Sequence, residues 1–448
     1  MAGYELLIKN GTVIFPDRGV AEKKNIAVRN GKTAEITVAL PEAESVIDAE
    51  GLFVSPGFID THLHDEEICD GKTIEQSMLR QGVTTAIAGN CGCGPLAEEI
   101  LPHRTSPWIN LGYLTGHTKL REAAGCIDSY AAATEEQLAK MCRLLERELK
   151  NGSFGLSIGL EYLPNTPASE LEALFKTAEP FADIWVPIHI RSDGPAAVAS
   201  TDEVLDYAKN WKLRFQISHT GSMTAFGHLA EVLEHIDAAR AEGRDVTFDC
   251  YPYDAFCTHL GSAVFDPGFA ERWGKGTEAL EIGSGPLRGR WLNEDGLYER
   301  LRREAPETLI IAHVIHRDEM ELCICHPQCA VASDALLFRG HGHPRAAGTF
   351  PRALCLLRSR GYTWPDALRK CTSLPAEMAK LPGKGHIEEG YDADFVIFDP
   401  GTLKDNATFA HELLPPTGIK WVVIGGRAAL KDNEILGCPK GKLIFRNK

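Results

Sequence analysis

The chain has 448 residues, 44% apolar and 24% charged, the composition of an ordinary globular protein with room for a large domain and a smaller one. Its formal net charge is −15, with the acids spread along the chain, which argues against nucleic acid as a partner because phosphate contacts need clustered Lys and Arg; no apolar run approaches the ~20 residues that span a bilayer, so no membrane partner is expected either. Met-Ala-Gly-Tyr-Glu at the start does not read as a signal peptide, and 13 scattered cysteines fit reduced thiols in the cytoplasm better than a disulfide framework.

Residues 5–15 read as a strand, an Asn10-Gly11 turn and a second strand; residues 25–37 repeat the pattern around Asn30-Gly31. From residue 54 apolar strands alternate with amphipathic segments. The strand candidates are 54–62, 84–90, 108–114, 154–160, 185–190, 215–219, 246–251 and 329–334, several of them nearly continuous apolar runs, as strands buried on both faces should be. Helices fit between them: 135–151 carries Leu138, Met141, Leu144, Leu145 and Leu149 at helical spacing, and 228–243 carries Leu229, Val232, Leu233, Ile236 and Ala239. This alternation predicts an α/β fold, a (β/α)8 TIM-like barrel over 56–384. An open doubly wound sheet is the alternative, but no Gly-x-Gly-x-x-Gly follows the first strand. Residues 258–308, rich in Gly, Arg and Glu, read as an inserted segment. Short β runs at 394–399 and 421–426 match the β-rich N-terminal end, so 1–55 and 385–448 are expected to form one small β-sandwich domain. Cys323, Cys325 and Cys329 lie near His326 without the usual two-residue spacing of a zinc knuckle and read as buried or incidental thiols.

In a barrel, chemistry sits at the C-terminal ends of the strands. The first candidate strand runs into His62-Leu63-His64, whose i and i+2 side chains share one face of a strand. The second ends in Gly89-Asn90-Cys91-Gly92, the fifth at His189, the sixth in Ser218-His219 and the last in Ser333-Asp334. Singly, each has a structural explanation; five strand ends finishing in groups able to bind or serve a metal point to one site.

Pro56-Gly57-Phe58-Ile59-Asp60-Thr61-His62-Leu63-His64 resembles a segment shared across the amidohydrolase superfamily. Gly89-Asn90-Cys91-Gly92, Gly159-Leu160-Glu161-Tyr162, Asp249-Cys250-Tyr251-Pro252-Tyr253, His343-Pro344-Arg345 and Gly348-Thr349-Phe350-Pro351-Arg352 resemble its N-acyl-D-amino-acid deacylase (D-aminoacylase) branch. The likeness covers nearly the whole chain. It implies a tightly held Zn2+ on Cys91, His189 and His219, a second, weaker or empty position at His62 and His64 with Cys91 as a bridging thiolate, and Asp334 as the catalytic carboxylate. Arg345, Tyr162 and Tyr251 match substrate-binding positions, Arg345 gripping a carboxylate. Many superfamily relatives bridge two metals with a carboxylated lysine on the fourth strand; 154–160 contains no lysine, which is consistent with Cys91 as the substitute.

Two imidazoles and a thiolate leave one zinc position open for water, and Asp334 can take the water's proton and return it to the departing nitrogen. No Gly-x-Ser-x-Gly elbow supports a serine hydrolase. The expected activity is hydrolysis of a linear amide, an N-acyl-D-amino acid or a dipeptide ending in a D-residue, with a small-molecule, carboxylate-bearing amide as the partner. Self-association into a homo-oligomer stays open. Gly221 stands where deacylase relatives commonly carry a lysine for the substrate carboxylate, so the specificity set is incomplete. A cyclic-amide hydrolase of hydantoinase or dihydroorotase type is the enzymatic alternative, and a non-catalytic assembly protein of the superfamily is the third reading.

Overall fold

Strands from the two ends of the chain pair into a nine-stranded sheet: Tyr4–Phe15, Val20–Arg29, Lys32–Thr37, Ala43–Asp48 and Phe53–Pro56 from one end, Phe395–Phe398, Ile419–Ile424, Arg427–Lys431 and Glu434–Ile435 from the other. The computed structural model describes residues 3–65, 68–102 and 106–446, with the backbone alone over 68–72. Ile8, Val13, Ile26, Val54, Phe395 and Val423 pack together within this sheet, because alternate residues of each strand face inward.

Two sequence expectations change here. Tyr4–Phe15 is one strand, not a hairpin. Asn10, at φ 62°, makes a bulge between Ile8 and Gly11, and Asn25 Oδ1 accepts its N–H at 2.9 Å, so the extra residue is absorbed without reversing the chain. Asn30 and Gly31, at φ 53° and 69°, do reverse it, joining Val20–Arg29 to Lys32–Thr37. The single strand expected over 54–62 is also two strands. Phe53–Pro56 pairs antiparallel with Phe395–Phe398, and Phe58–Leu63 belongs to a parallel sheet. The break is Gly57, where a Cβ would lie 2.1 Å from Thr84 Oγ1 and the N–H donates to Asp394 O at 2.8 Å.

The centre of the chain holds parallel strands. A three-stranded sheet comprises β1 (Phe58–Leu63), β2 (Val83–Ala88) and β3 (Asn110–Tyr113). A six-stranded sheet comprises β4 (Thr115–Gly116), β5 (Leu156–Gly159), β6 (Trp185–His189), β7 (Arg214–Ile217), β8 (Val246–Cys250) and β9 (Cys329–Val331), paired in that order. One residue, Leu114, separates β3 from β4. At the other edge Leu63 bridges Ala335 in parallel, and Asp334 N–H donates to His62 O at 2.8 Å. Helices follow the strands. Glu135–Asn151 starts at a capping box, in which Thr134 and Gln137 each accept the other's backbone N–H, and stops at Gly152, φ 100°. It buries Met141, Leu145 and Leu149.

Phe256–His259, Leu280–Ile282 and Leu309–Ala312 form a separate antiparallel sheet over an apolar cluster that includes Leu260, Phe265, Trp273 and Leu280. Among the described residues no helix is long and apolar enough to cross a membrane.

Candidate metal centre

The polar residues predicted at strand ends converge. Two groups have ligand atoms all within 4.8 Å of one another: His62, His64, Cys91 and Asp334; and Cys91, His189 and His219. Cys91 belongs to both. All six side chains are buried. Among the described residues neither group includes Cys323, Cys325 or Cys329.

The strands end earlier than their apolar patterns predict, and the reason lies in the candidate ligands. Cys91, His219 and Asp334 follow β2, β7 and β9 with φ of 52°, 34° and 50°, a left-handed backbone that costs non-glycine residues roughly 1–3 kcal/mol each. The turn tips each side chain toward the common centre. His62 and His189 project from within β1 and β6, and His64 lies just past the end of β1.

Three imidazoles each have one nitrogen fixed by an outer partner. His62 Nδ1 is 3.3 Å from Asp249 Oδ2, His189 Nε2 is 2.9 Å from Glu161 Oε2, and His219 Nδ1 is 2.9 Å from Ser222 Oγ. The opposite nitrogens face the centre: His62 Nε2 and His219 Nε2 lie 3.3 and 3.4 Å from Cys91 Sγ, and His189 Nδ1 is buried without a hydrogen-bond partner. Nitrogen and sulfur ligands on a tetrahedral zinc are about 3.5 Å apart, given bond lengths near 2.0 and 2.3 Å. The separations and the orphaned His189 nitrogen therefore fit a cation, and oriented imidazoles with outer partners are how metal sites are built.

The electrostatics agree. Burial disfavours charge on His62, yet Cys91, Asp249 and Asp334 outweigh it and push its pKa up to about 10. Burial likewise opposes a charge on His189, but Cys91 and Glu161 raise it to about 9. Against its own burial, the Cys91 thiol is held well below its usual range by His62 and His219. A pocket that draws protons onto buried imidazoles and off a buried thiol is short of positive charge.

Asp334 Oδ1 lies 3.1 Å from His64 Nε2, and Oδ2 lies 2.8 Å from Arg345 Nη1. Burial would raise the Asp334 pKa; Arg345, His219 and His62 overcome this and hold it well below the ordinary carboxylate range. Arg345 also donates to Cys257 O at 3.2 Å and lies over the Tyr251 ring, 4.7 Å from its centroid. A cavity of about 720 Å3 opens onto this centre, lined by His64, Cys91, Tyr162, Asp334 and Arg345 and, further out, Lys119 and His259. Tyr162 is 3.3 Å from Thr258 Oγ1. Tyr251 does not line the cavity; it is buried under Arg345. Gly221 is tightly packed, since a Cβ there would lie 2.6 Å from Cys250 Sγ, which leaves no room for a lysine.

Sequence reading assigned no role to Asp249, Glu161, Ser222, Gln216 or Asp60. Three of these lie in quoted motifs, Asp60 beside His62, Glu161 beside Tyr162 and Asp249 beside Tyr251, so the signal was an unassigned carboxylate in each. Asp60 accepts N–H groups from His62 and Ser333 at 3.1 and 3.0 Å, tying the first parallel strand to the segment that carries Asp334.

Residues 318–429 match the Amidohydrolase family. An N-acyl-D-glutamate deacylase of Alcaligenes xylosoxydans xylosoxydans is 32% identical, over 95% of this chain and 93% of the relative. The chain belongs to the deacylase branch of the amidohydrolases. A D-aminoacylase of the same organism is 29% identical to this amidohydrolase, over 99% of this chain and 98% of the relative. The structure of N-acyl-D-glutamate deacylase from Bordetella bronchiseptica, complexed with zinc and a phosphonate mimic of the tetrahedral intermediate, superposes with a TM-score of 0.87 at 29% identity, covering 99% of both chains. A D-hydantoinase superposes with a TM-score of 0.63 at 16% identity, a likeness of fold alone.

Proposed function

We propose that this amidohydrolase is a zinc-dependent deacylase of N-acyl-D-amino acids or of dipeptides ending in a D-residue. The parallel strands close into a (β/α)8 barrel over 56–384, interrupted by the 258–308 segment, and 1–55 with 385–448 form the accompanying β domain. The enzyme acts on small molecules in the cytoplasm. One observation carries the reading: two sets of potential metal ligands share Cys91 on one cavity, and the carboxylate of Asp334 belongs to one of them.

Cys91, His189 and His219 hold the principal zinc, and His62, His64 and Asp334, again with Cys91, line a second position. Zinc in such a set acidifies water and polarises a carbonyl. The protein's own groups do the rest. Asp334, kept as a carboxylate by Arg345, accepts the water's proton and delivers it to the departing nitrogen. Tyr162 and Arg345 face the cavity, where Arg345 takes a substrate carboxylate while still paired with Asp334. Tyr251 supports Arg345 from beneath. With Gly221 filled by Cys250, no lysine shares the carboxylate from that position.

Paired D- and L-configured N-acetyl, N-formyl and dipeptide substrates, assayed on protein of measured zinc content, test this. Turnover of the D-series is expected, and Asp334→Asn should keep its zinc while losing most of that turnover. Hydrolysis of hydantoin or dihydroorotate with none of the linear amides would overturn the reading in favour of a cyclic-amide hydrolase.

A further inference from the structure

Asp249, at the end of β8, is fully buried, and its two oxygens serve different halves of the centre. Oδ1 accepts the backbone N–H of His219. Oδ2 accepts from Gln216 Nε2 at 2.8 Å and lies 3.3 Å from His62 Nδ1. His62 belongs to one ion-holding group and His219 to the other.

A carboxylate only accepts, so the hydrogen between Asp249 and His62 is carried on Nδ1. With an ion in place of the second proton, the Nε2 lone pair then faces the centre, 3.3 Å from Cys91 Sγ. On the other side, the Asp249–His219 bond restrains a backbone at φ 34°, a conformation that persists only where its surroundings hold it. We infer that Asp249 is a positioning residue common to both metal positions: one oxygen sets the His62 tautomer and the other anchors the His219 turn. This rests on the reading of the two groups as metal positions.

Two substitutions separate the two tasks. In Asp249→Asn the remaining oxygen can still accept from His219, but an amide NH2 then faces His62. His62 must accept on Nδ1 and carry its hydrogen on Nε2, which cannot then bind an ion. Asp249→Ala removes all three contacts, to His219, Gln216 and His62.

The test titrates the metal-free full-length chain with Zn2+ against a competing chelator, and with Co2+ while following the thiolate-to-cobalt absorption band. The wild type should take up two ions. Asp249→Asn should keep the tighter step within a few-fold and weaken the second by about 10–100-fold, the usual cost of losing an outer partner. Asp249→Ala should weaken both steps and alter the cobalt band. Nitrogen-15 spectra of histidine-labelled, zinc-loaded wild type should show His62 with its hydrogen on Nδ1, a readout that stands even if neither variant folds. Wild-type affinity at both steps in Asp249→Asn, a hydrogen on His62 Nε2, or uptake of a single ion by the wild type would overturn the inference. A wild-type chain that binds no ion would instead overturn the metal reading itself.

Discussion

Asp334 and Arg345 are bound to each other more closely than a simple division into base and substrate clamp requires. Arg345 is 1% exposed and its Nη1 lies 2.8 Å from Asp334 Oδ2, so the guanidinium tunes the base as well as facing the cavity. The sign is fixed. In the proposed role Asp334 works as the carboxylate, and Arg345 is the main charge holding its pKa down against burial. Activity should therefore survive into acid and fall only as pH drops through that depressed value. Arg345→Gln removes the guanidinium, Asp334 protonates at higher pH, and the acidic limb of kcat/KM should move up by about one to three units, the range for a carboxylate losing an Arg neighbour. Profiles taken with a neutral amide separate this from lost carboxylate binding, which should appear as a raised KM for carboxylate-bearing substrates alone. An unmoved acidic limb would confine Arg345 to substrate binding.

At the scale of elements, an arginine outside the parallel strands supports a candidate ligand within them. Arg272, in the short helix Phe269–Trp273, donates to Asp193 Oδ1 at 2.7 Å and Glu161 Oε1 at 3.3 Å; Glu161 in turn holds His189. Asp193, also bonded to Trp273 Nε1, has its pKa raised to about 7 by burial and Glu161 even with Arg272 beside it. A raised acid binds its proton more tightly folded than unfolded, so its ionisation weakens the fold as pH climbs. Arg272→Met raises it further. The variant's stability deficit should be small near pH 5, where Asp193 is protonated, and grow by about 1 kcal/mol by pH 8, one unit above the value at which the wild-type carboxyl ionises. Denaturant midpoints of both proteins at the two pH values measure it; an equal deficit at both would assign Arg272 to packing. None of this was legible in the sequence. The strand ends bearing Cys91, His189, His219 and Asp334 were, because each terminates an apolar run. The left-handed turns at Cys91, His219 and Asp334 were not, since hydrophobic periodicity carries no sign of φ. The outer carboxylates stand in the motifs, but their roles were not legible for a different reason: Glu161 and Arg272 lie 111 positions apart, and their pairing exists only in the folded chain.

For the whole molecule, the nine-stranded sheet and the parallel strands meet at Asp394. Its Oδ2 accepts from Lys384 at 2.7 Å and from Asn110 at 3.0 Å, its Oδ1 accepts the Gly425 N–H at 2.7 Å, and its carbonyl takes the Gly57 N–H at 2.8 Å. Asn110 opens β3, Gly425 follows Ile419–Ile424, and Gly57 is the break between Phe53–Pro56 and β1. One residue therefore links the sheet built from the chain ends to the strand that carries His62. Lys384 is buried with it and without the Asp394 carboxylate keeps only Asp392 Oδ2, at 2.8 Å, so the loss should stay below the about 3–5 kcal/mol of a fully unpaired buried charge. Because the lost carboxylate also holds Asn110 of β3, which pairs with the strand leading to Cys91, the loss should reach the candidate metal centre. Asp394→Ala is expected to shift the denaturant midpoint downward, with zinc release and the change in tryptophan fluorescence still coincident. Were the sheet to melt first while zinc stayed bound, the sheet and the parallel strands would be separate cooperative units, and the contact at Asp394 would be a docking surface between them instead of part of one fold.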